Sequence, residues 1–398
     1  MTTTKRLSSD AKRFLPVWLL LGAILSAVQP VLAQDAKLYV CPPCPVDCHD
    51  TTYSKPGVCP NPDCNMQLID RHSVRYVAIV LWQGAEILDF AGPSEVFAST
   101  RVDNKPAFLC YTVGITGEPI TSQGFIQINP EFSIDTCPQP DIIVLPGGGT
   151  SSALASPELI QWVKRTGAES EISMSVCTGA FVLASAGLLD GKEATTYHSA
   201  IDGLRGYAPY TIVHENQRWV DNGRVVTSAG VSAGIDASLH VVLRLHGEEI
   251  AQATADYMEY DWRPQEVTGK IVTSPGAPKQ YTAAQRIVQV LLKEGVDAAF
   301  KARQALLEKP NAQAPPSEAQ INFTGYGYLG RGDTATAITI FKFNVRVHPD
   351  AFNTYDSLGE AFMKAGQRER AIKNYRKSLE LNPDNAGAAE ILKKLDAE

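Results

Sequence analysis

Apolar and polar positions divide the chain into segments of different periodicity. Between about Ser73 and Pro264, short apolar runs alternate with stretches of helical pattern; the runs are Tyr76–Trp82, Asp141–Leu145 and Ile172–Val176. Such alternation predicts parallel strands joined by helical crossovers. Trp219–Val226 differs, because Asn222-Gly223 between two β-rich runs predicts a tight hairpin. Residues from about 266 to 280 hold Gly, Pro, Ser and Lys and read as a linker. A helical stretch over Thr282–Glu308 and a Pro/Ala-rich break at Pro310–Pro316 follow. The C-terminal segment repeats itself: Gly325, Ala337, Phe341 and Pro349 recur 34 positions later as Gly359, Ala371, Tyr375 and Pro383. Small residues let two helices pack closely, the aromatic fills the groove, and Pro ends the second helix. Ala388–Leu395 reads as a capping helix.

The N-terminal pattern is of another kind. Lys5, Arg6, Lys12 and Arg13 precede the apolar run Phe14–Val28, and Val31-Leu32-Ala33 forms a small-residue cleavage site. This predicts a signal peptide over residues 1–33 and a periplasmic or secreted chain, with no permanent membrane span once it is cleaved. An uncleaved anchor is the alternative. Residues 34–71 are rich in Cys, Pro, Asp and Asn, too few to bury a core, and need a staple.

Composition adds two constraints. A hydrophobic share of 44% and a charged share of 20% over 398 residues predict a soluble, globular, multi-domain chain. The formal net charge is −7, and losing the leader makes it more negative. No long basic run follows the N-terminus, so nucleic acid is not expected as a partner.

The candidate chemistry centres on Cys177. Ile172-Ser-Met-Ser-Val-Cys177-Thr-Gly-Ala-Phe181 is an apolar strand running into a helix, with Cys177 at the junction. Small residues at Ser175 and Gly179 suit a strained elbow. A thiol at a helix N-terminus is expected to have its thiolate favoured by the unsatisfied N–H groups and the dipole. Leu145-Pro-Gly-Gly-Gly149 ends another strand, and its backbone N–H groups are candidates for an oxyanion hole. Standing alone, Cys177 could equally be an inert core cysteine.

These motifs resemble the DJ-1/PfpI superfamily, within the class I glutamine-amidotransferase-like fold. The resemblance is strongest to its isocyanide-hydratase and AraC-regulator-associated branch. It is carried by Ile87-Leu-Asp-Phe-Ala-Gly-Pro-Ser-Glu-Val-Phe97, Asp141–Gly149, Ser175–Ala180, Gly187–Thr196, Thr227–Asp236 and Glu259-Tyr-Asp261. The resemblance implies a flavodoxin-like parallel-sheet sandwich with no cofactor, usually a homodimer. It implies Cys177 as nucleophile, Asp89 as its acidic partner, Thr178 as the residue following the cysteine, and Gly147, Gly148 and the Thr178 N–H lining the oxyanion or substrate pocket. A carboxyl beside a thiolate should have a raised pKa; the competing reading of Asp89 is a helix N-cap before Ala91. Many relatives place a His twenty residues after the cysteine, where this chain has Tyr197, with His198 one later. Neighbouring strand residues point to opposite faces. His198 joins the site only if it faces the pocket, with Asp202 or Asp236 to orient it.

A second constellation lies near the N-terminus: Tyr39-Val-Cys41-Pro-Pro-Cys44-Pro-Val-Asp-Cys48-His49, then Lys55-Pro-Gly-Val-Cys59-Pro-Asn-Pro-Asp-Cys64-Asn-Met66. Close cysteine pairs across a turn-rich arm can offer four thiolates to zinc or another soft ion such as Cu(I). The arrangement resembles small heavy-metal-binding domains of bacterial export and efflux proteins, with Asn65 in place of the family Gly. The expected ligands are Cys41, Cys44, Cys59 and Cys64, with Cys48 and His49 as substitutes. Two disulfides are the alternative in an oxidising compartment.

The expected organisation is a signal peptide (1–33), a Cys-rich metal-binding-like module (34–71), a DJ-1/PfpI α/β domain (72–265), a linker with a helical segment (266–317), and two repeats with a capping helix (318–398). That last segment resembles tetratricopeptide (TPR) repeats, all-α, which serve either a protein partner or only packing. The expected function is cysteine-dependent hydratase or hydrolase chemistry on a small electrophilic substrate. The alternative is ligand, redox or metal-stress sensing without turnover.

Overall fold

The structure, a computed structural model of the chain, describes residues 38–43, 48, 51–273, 281–309 and 313–397. The expected signal peptide lies outside the described residues, as do Cys44 and His49. Among the described residues no helix is long and apolar enough to cross a membrane.

The strand Arg75–Leu81 shows how the α/β layers arise. Tyr76, Ala78 and Val80 enter one buried cluster, while Val77, Ile79 and Leu81 enter another. A strand buried on both faces must be apolar at consecutive positions, which is why the run is continuous. It pairs in parallel with Phe108–Gly114 on one side and Ile142–Leu145 on the other. The full sheet has eight strands, in the spatial order Phe132–Ser133, Phe108–Gly114, Arg75–Leu81, Ile142–Leu145, Ile172–Ser175, Val225–Ser228, Trp219–Asp221 and Gly269–Ile271. Helices Pro157–Glu169, Ala180–Ser185 and Ile201–Tyr207 cover one face; Ile87–Ser99, Ala233–His246 and Glu248–Tyr257 cover the other. This is the expected flavodoxin-like sandwich.

Several boundaries differ from expectation. Trp219–Asp221 and Val225–Ser228 form the expected antiparallel hairpin. The Asn222 N–H donates to the Val225 carbonyl (2.9 Å), so the central turn residues are Gly223 and Arg224, with φ +82° at Gly223. The turn is thus shifted by one residue, with Gly supplying the positive φ at its first central position. Gly269–Ile271, inside the stretch read as linker, adds a parallel edge strand against Trp219–Asp221. Only glycine fits there, because a Cβ at position 269 would lie 2.0 Å from the Trp219 ring. The helical stretch is two helices, Ala283–Glu294 and Val296–Leu307, broken at Gly295 with φ +87°.

The Cys-rich module is built on three short antiparallel strands, Tyr39–Val40, Thr52–Tyr53 and Ile69–Asp70. The C-terminal repeat forms helix pairs Glu318–Gly330 with Thr334–Val347 and Phe352–Lys364 with Arg368–Leu381, followed by Ala386–Ala397. A Cβ at Gly325 would lie 2.4 Å from the Phe341 ring, and one at Gly359 would lie 3.1 Å from the Tyr375 ring. The same glycine–aromatic contact therefore recurs in both pairs, which is the physical content of the 34-residue period. The first repeat helix also docks on the α/β sandwich. Thr324 Oγ1 donates to the Gly206 carbonyl, Gly327 abuts the Tyr207 ring, and the Arg331 guanidinium donates to the Ala184 carbonyl. That carbonyl lies near the C-terminal end of the helix that follows Cys177.

Candidate functional site

The elbow is constrained from several sides. After the strand Ile172–Ser175, Cys177 takes φ +57°, a left-handed conformation uncommon for a residue with a side chain. Its N–H donates to the Ala229 carbonyl (3.0 Å), and its own carbonyl accepts from Thr196 Oγ1 (2.7 Å). Two residues on, a Cβ at Gly179 would stand 2.1 Å from the Leu145 carbonyl oxygen, so only glycine fits there. A strained conformation persists where its surroundings over-determine it, and such strain clusters at functional sites. Cys177 is 7% exposed, so the residue is largely withdrawn from bulk water.

Asp89 completes a pair. It lies in the first turn of Ile87–Ser99, whose N-cap is Glu86, so the N-cap reading of Asp89 does not hold. Its side chain is fully buried, with Oδ2 accepting from the Gly147 N–H (2.7 Å) and Oδ1 from the Val231 N–H (3.0 Å). It also neighbours the Cys177 thiol, which favours its charged form. Burial, with a smaller push from the Glu86 charge, raises its pKa to about 6, against the opposing pull of the two N–H donors. The Cys177 thiol is pushed up to about 12 by burial first and the Asp89 carboxylate second. The expectation of a thiolate favoured by the helix N-terminus is therefore reversed: the following helix, Ala180–Ser185, is short, and a neighbouring negative charge opposes ionisation. At neutral pH the pair therefore carries one proton, which sits on sulfur in the resting form.

The glycine turn surrounds this pair in a different way from that expected. The Gly147 N–H is committed to Asp89, so it positions the carboxylate instead of serving as a free oxyanion donor. A Cβ at Gly147 would lie 2.7 Å from Cys177 Cβ and 2.8 Å from Asp89 Oδ2. Gly148 has φ +68°, and a Cβ there would meet the Glu86 nitrogen at 2.4 Å. The Thr178 N–H and hydroxyl lie beside the Cys177 sulfur and both favour its charged form. Thr178 Oγ1 also lies 2.5 Å from Thr150 Oγ1. Sequence reading did not single out Thr150; a threonine after three glycines carries no distinguishing signal until the turn brings it opposite Thr178.

His198 stands apart. It opens a 3-10 turn, not a strand, and it is exposed. It lines an open cleft of about 740 Å³ together with Asp202, Glu215 and Arg218, and Cys177 is not among the lining residues. Tyr197, at the position where many relatives carry His, packs on Gly230. The carboxylates considered as orienting groups are engaged elsewhere: Asp202 with Arg205, and Asp236 with Arg218 and the Tyr260 hydroxyl.

The Cys-rich module gathers Cys41, Cys48, Cys59 and Cys64, whose sulfurs all lie within 4.8 Å of one another. Three of the four expected ligands are thus brought together, and the fourth thiol is Cys48, the expected substitute. Cys41, Cys48 and Cys59 are buried and Cys64 is partly so. A tetrahedral zinc with Zn–S bonds of about 2.3 Å needs sulfurs about 3.8 Å apart, a separation this cluster can accommodate. Asn65 takes φ +52°, so it supplies the left-handed turn for which glycine is the usual residue. The cluster can hold a metal ion.

Comparison with known proteins agrees with this geometry. The DJ-1/PfpI family model matches residues 75–244, and a tetratricopeptide repeat model matches residues 352–385. Isonitrile hydratase of Pseudomonas putida is 32% identical over 205 residues, covering 50% of this chain and 85% of that protein. The HTH-type transcriptional regulator CdhR of Pseudomonas aeruginosa is 24% identical over 213 residues; the match covers 53% of this chain but only 62% of the regulator. Regulators of that kind among the relatives do not fit the expectation, drawn from charge, of no nucleic-acid partner. A crystal structure of a THiJ/PfpI family protein from Pseudomonas syringae is 28% identical with a TM-score of 0.44, covering 57% of this chain and 89% of that one. With the elbow cysteine, its buried acidic partner and the glycine turn in one sandwich, the chain belongs to the DJ-1/PfpI family.

Proposed function

We propose that the chain is a cysteine-dependent hydratase of small electrophiles, with isonitriles as the substrate class. The observation that carries this reading is the Cys177–Asp89 pair: a nucleophile held at φ +57° against a buried carboxyl whose pKa is about 6. A general base works best with a pKa near the operating pH. In the first step the thiol proton passes to Asp89, the sulfur adds to the terminal carbon of R–N≡C, and Asp89 returns the proton to that carbon. The product is a thioimidate, R–N=CH–S–Cys177. Water then adds to its carbon while the nitrogen takes up a proton. Collapse breaks the C–S bond, returns a proton to sulfur through Asp89, and releases the formamide R–NH–CHO. Thr178 supports negative charge on the sulfur in each step through its N–H and hydroxyl. Related hydrolase chemistry on other small electrophiles would use the same groups.

The competing reading, ligand, redox or metal-stress sensing without turnover, would gain if the thiol stood beside the metal-thiolate module. Tyr76, at the start of its strand, donates from its hydroxyl to the Cys41 carbonyl, whereas Cys177 follows the far end of a parallel strand. Glu171 is level with Asp141 and Tyr76, and the six residues from there to Cys177 span about 20 Å. That separation favours two independent sites. The thiolate module would hold one zinc or another soft ion as a structural staple. Export and homodimer formation belong to the same proposal, as does a protein partner on the repeat segment. N-terminal sequencing that begins at Gln34 would support export.

The test is formamide production from a panel of isonitriles, with aldehydes and amides alongside, by the full protein and its Cys177→Ala variant. Equal rates would reject the proposal. Metal analysis after chelator-free purification tests the module: about one equivalent per chain is expected, and intact disulfides without metal would contradict it.

A further inference from the structure

Thr150 has no part in the reading above, yet it ends a chain of hydroxyls that leads to the reactive sulfur. Three consecutive glycines place it there. Gly149 takes φ +52°, and a Cβ on it would lie 2.0 Å from the Gln83 carbonyl oxygen, so the turn closes only with glycine. Thr150 then opens the short helix Thr150–Leu154 with its hydroxyl 2.5 Å from that of Thr178. Thr178 follows Cys177 directly, and its hydroxyl favours the charged form of the sulfur.

A hydroxyl has one proton to give. If Thr178 spends it on Thr150, none is left for the sulfur. We propose that Thr150 is a positioning residue: its hydroxyl donates to Thr178 Oγ1 and thereby commits the Thr178 proton to the Cys177 sulfur. The orientation follows the charge, because a developing thiolate at one end favours both protons pointing toward it. Each donor in such a chain polarises the next, so the inner hydrogen bond is strengthened by the outer one. Thr150 is half-buried, so its own oxygen can still accept from water or a polar substrate group.

This inference rests on Cys177 acting as a thiolate, and its test is chosen to need no substrate. In the full-length protein, Cys177 labelling by iodoacetamide is followed by peptide mass spectrometry from pH 5 to 10 in wild type, Thr150→Val, Thr150→Ser, Thr178→Val and the Thr150→Val/Thr178→Val double variant. Thr150→Val is expected to slow labelling about three- to tenfold at pH 7, the loss of one net hydrogen bond to a charged chain. Thr150→Ser keeps the hydroxyl and should restore the rate. Thr150→Val should add nothing in a Thr178→Val background, since the relay is already cut. Wild-type labelling in Thr150→Val, failure of Thr150→Ser to restore the rate, or additive slowing in the double variant would each overturn the proposal. Because labelling is independent of isonitrile turnover, a protein that fails to hydrate isonitriles can still pass this test.

Discussion

Replacing Asp89 by Asn tests the shared proton directly. With the carboxylate ionised, the thiol sits at about 12. At pH 7 that leaves about one free thiolate in 10⁵ molecules, since each pKa unit is a factor of ten. A thiol that scarce would be inert at neutral pH, so reactivity must come from the tautomer in which Asp89 holds the proton. The population of that tautomer depends on pH through Asp89, whose pKa is about 6. Iodoacetamide labelling of Cys177 should therefore rise about tenfold per pH unit below 6, level off from about pH 7, and rise again by about pH 9, where free thiolate overtakes that tautomer. In Asp89→Asn the plateau should vanish. The rate should then climb tenfold per unit through pH 7 to 9, because burial still holds the thiol above its ordinary 9.0 while the charge that pushed it further is gone. Cys110 and Cys137, raised by burial alone or chiefly so, serve as internal controls without a plateau. A wild-type rate that climbs steadily through pH 7 to 9, or a plateau that survives in Asp89→Asn, would refute the reasoning. The stability linkage has a matching sign. A carboxyl raised from 3.8 to about 6 contributes about 3 kcal/mol that is fully present below pH 3.8 and lost as pH rises through 6.

Three further outcomes follow from the same geometry. Gly147→Ala puts a methyl 2.7 Å from Cys177 Cβ and should cut labelling about tenfold or more while leaving the sandwich folded by circular dichroism, a core overpacking effect of about 1–3 kcal/mol; normal labelling would contradict the contact. His198→Ala should leave the labelling profile unchanged, since the side chain is exposed and faces another cleft; loss of the plateau would restore a triad. Arg331→Ala removes a donor to the Ala184 carbonyl behind the elbow helix and should lower the melting temperature by an amount equivalent to about 1–2 kcal/mol; an unchanged melting temperature would argue that the repeat segment is not docked there.

How much was legible in the chain depended on whether a residue's meaning was local. The elbow could be read because a strand, a cysteine and Gly179 are contiguous, and the 34-residue period could be read because Gly325 and Gly359 meet equivalent aromatics. The four gathered sulfurs were partly legible: the spacing announced a cluster, but Cys48 joins it through the path of the intervening backbone. The direction of the Cys177 pKa was misread, because a helix dipole is visible in sequence while burial and a carboxylate 88 positions away are not. The Gly147 N–H was assigned to an oxyanion for the same reason, as its acceptor Asp89 comes from another element. The edge strand Gly269–Ile271 was hidden by its own glycine, which tertiary contact with Trp219 requires and local propensity disfavours.

The most direct test of the account is isonitrile turnover by the full protein at neutral pH, compared between wild type and Cys177→Ala. The account predicts formamide formation by wild type and none above background from the variant; equal formation by both would contradict it.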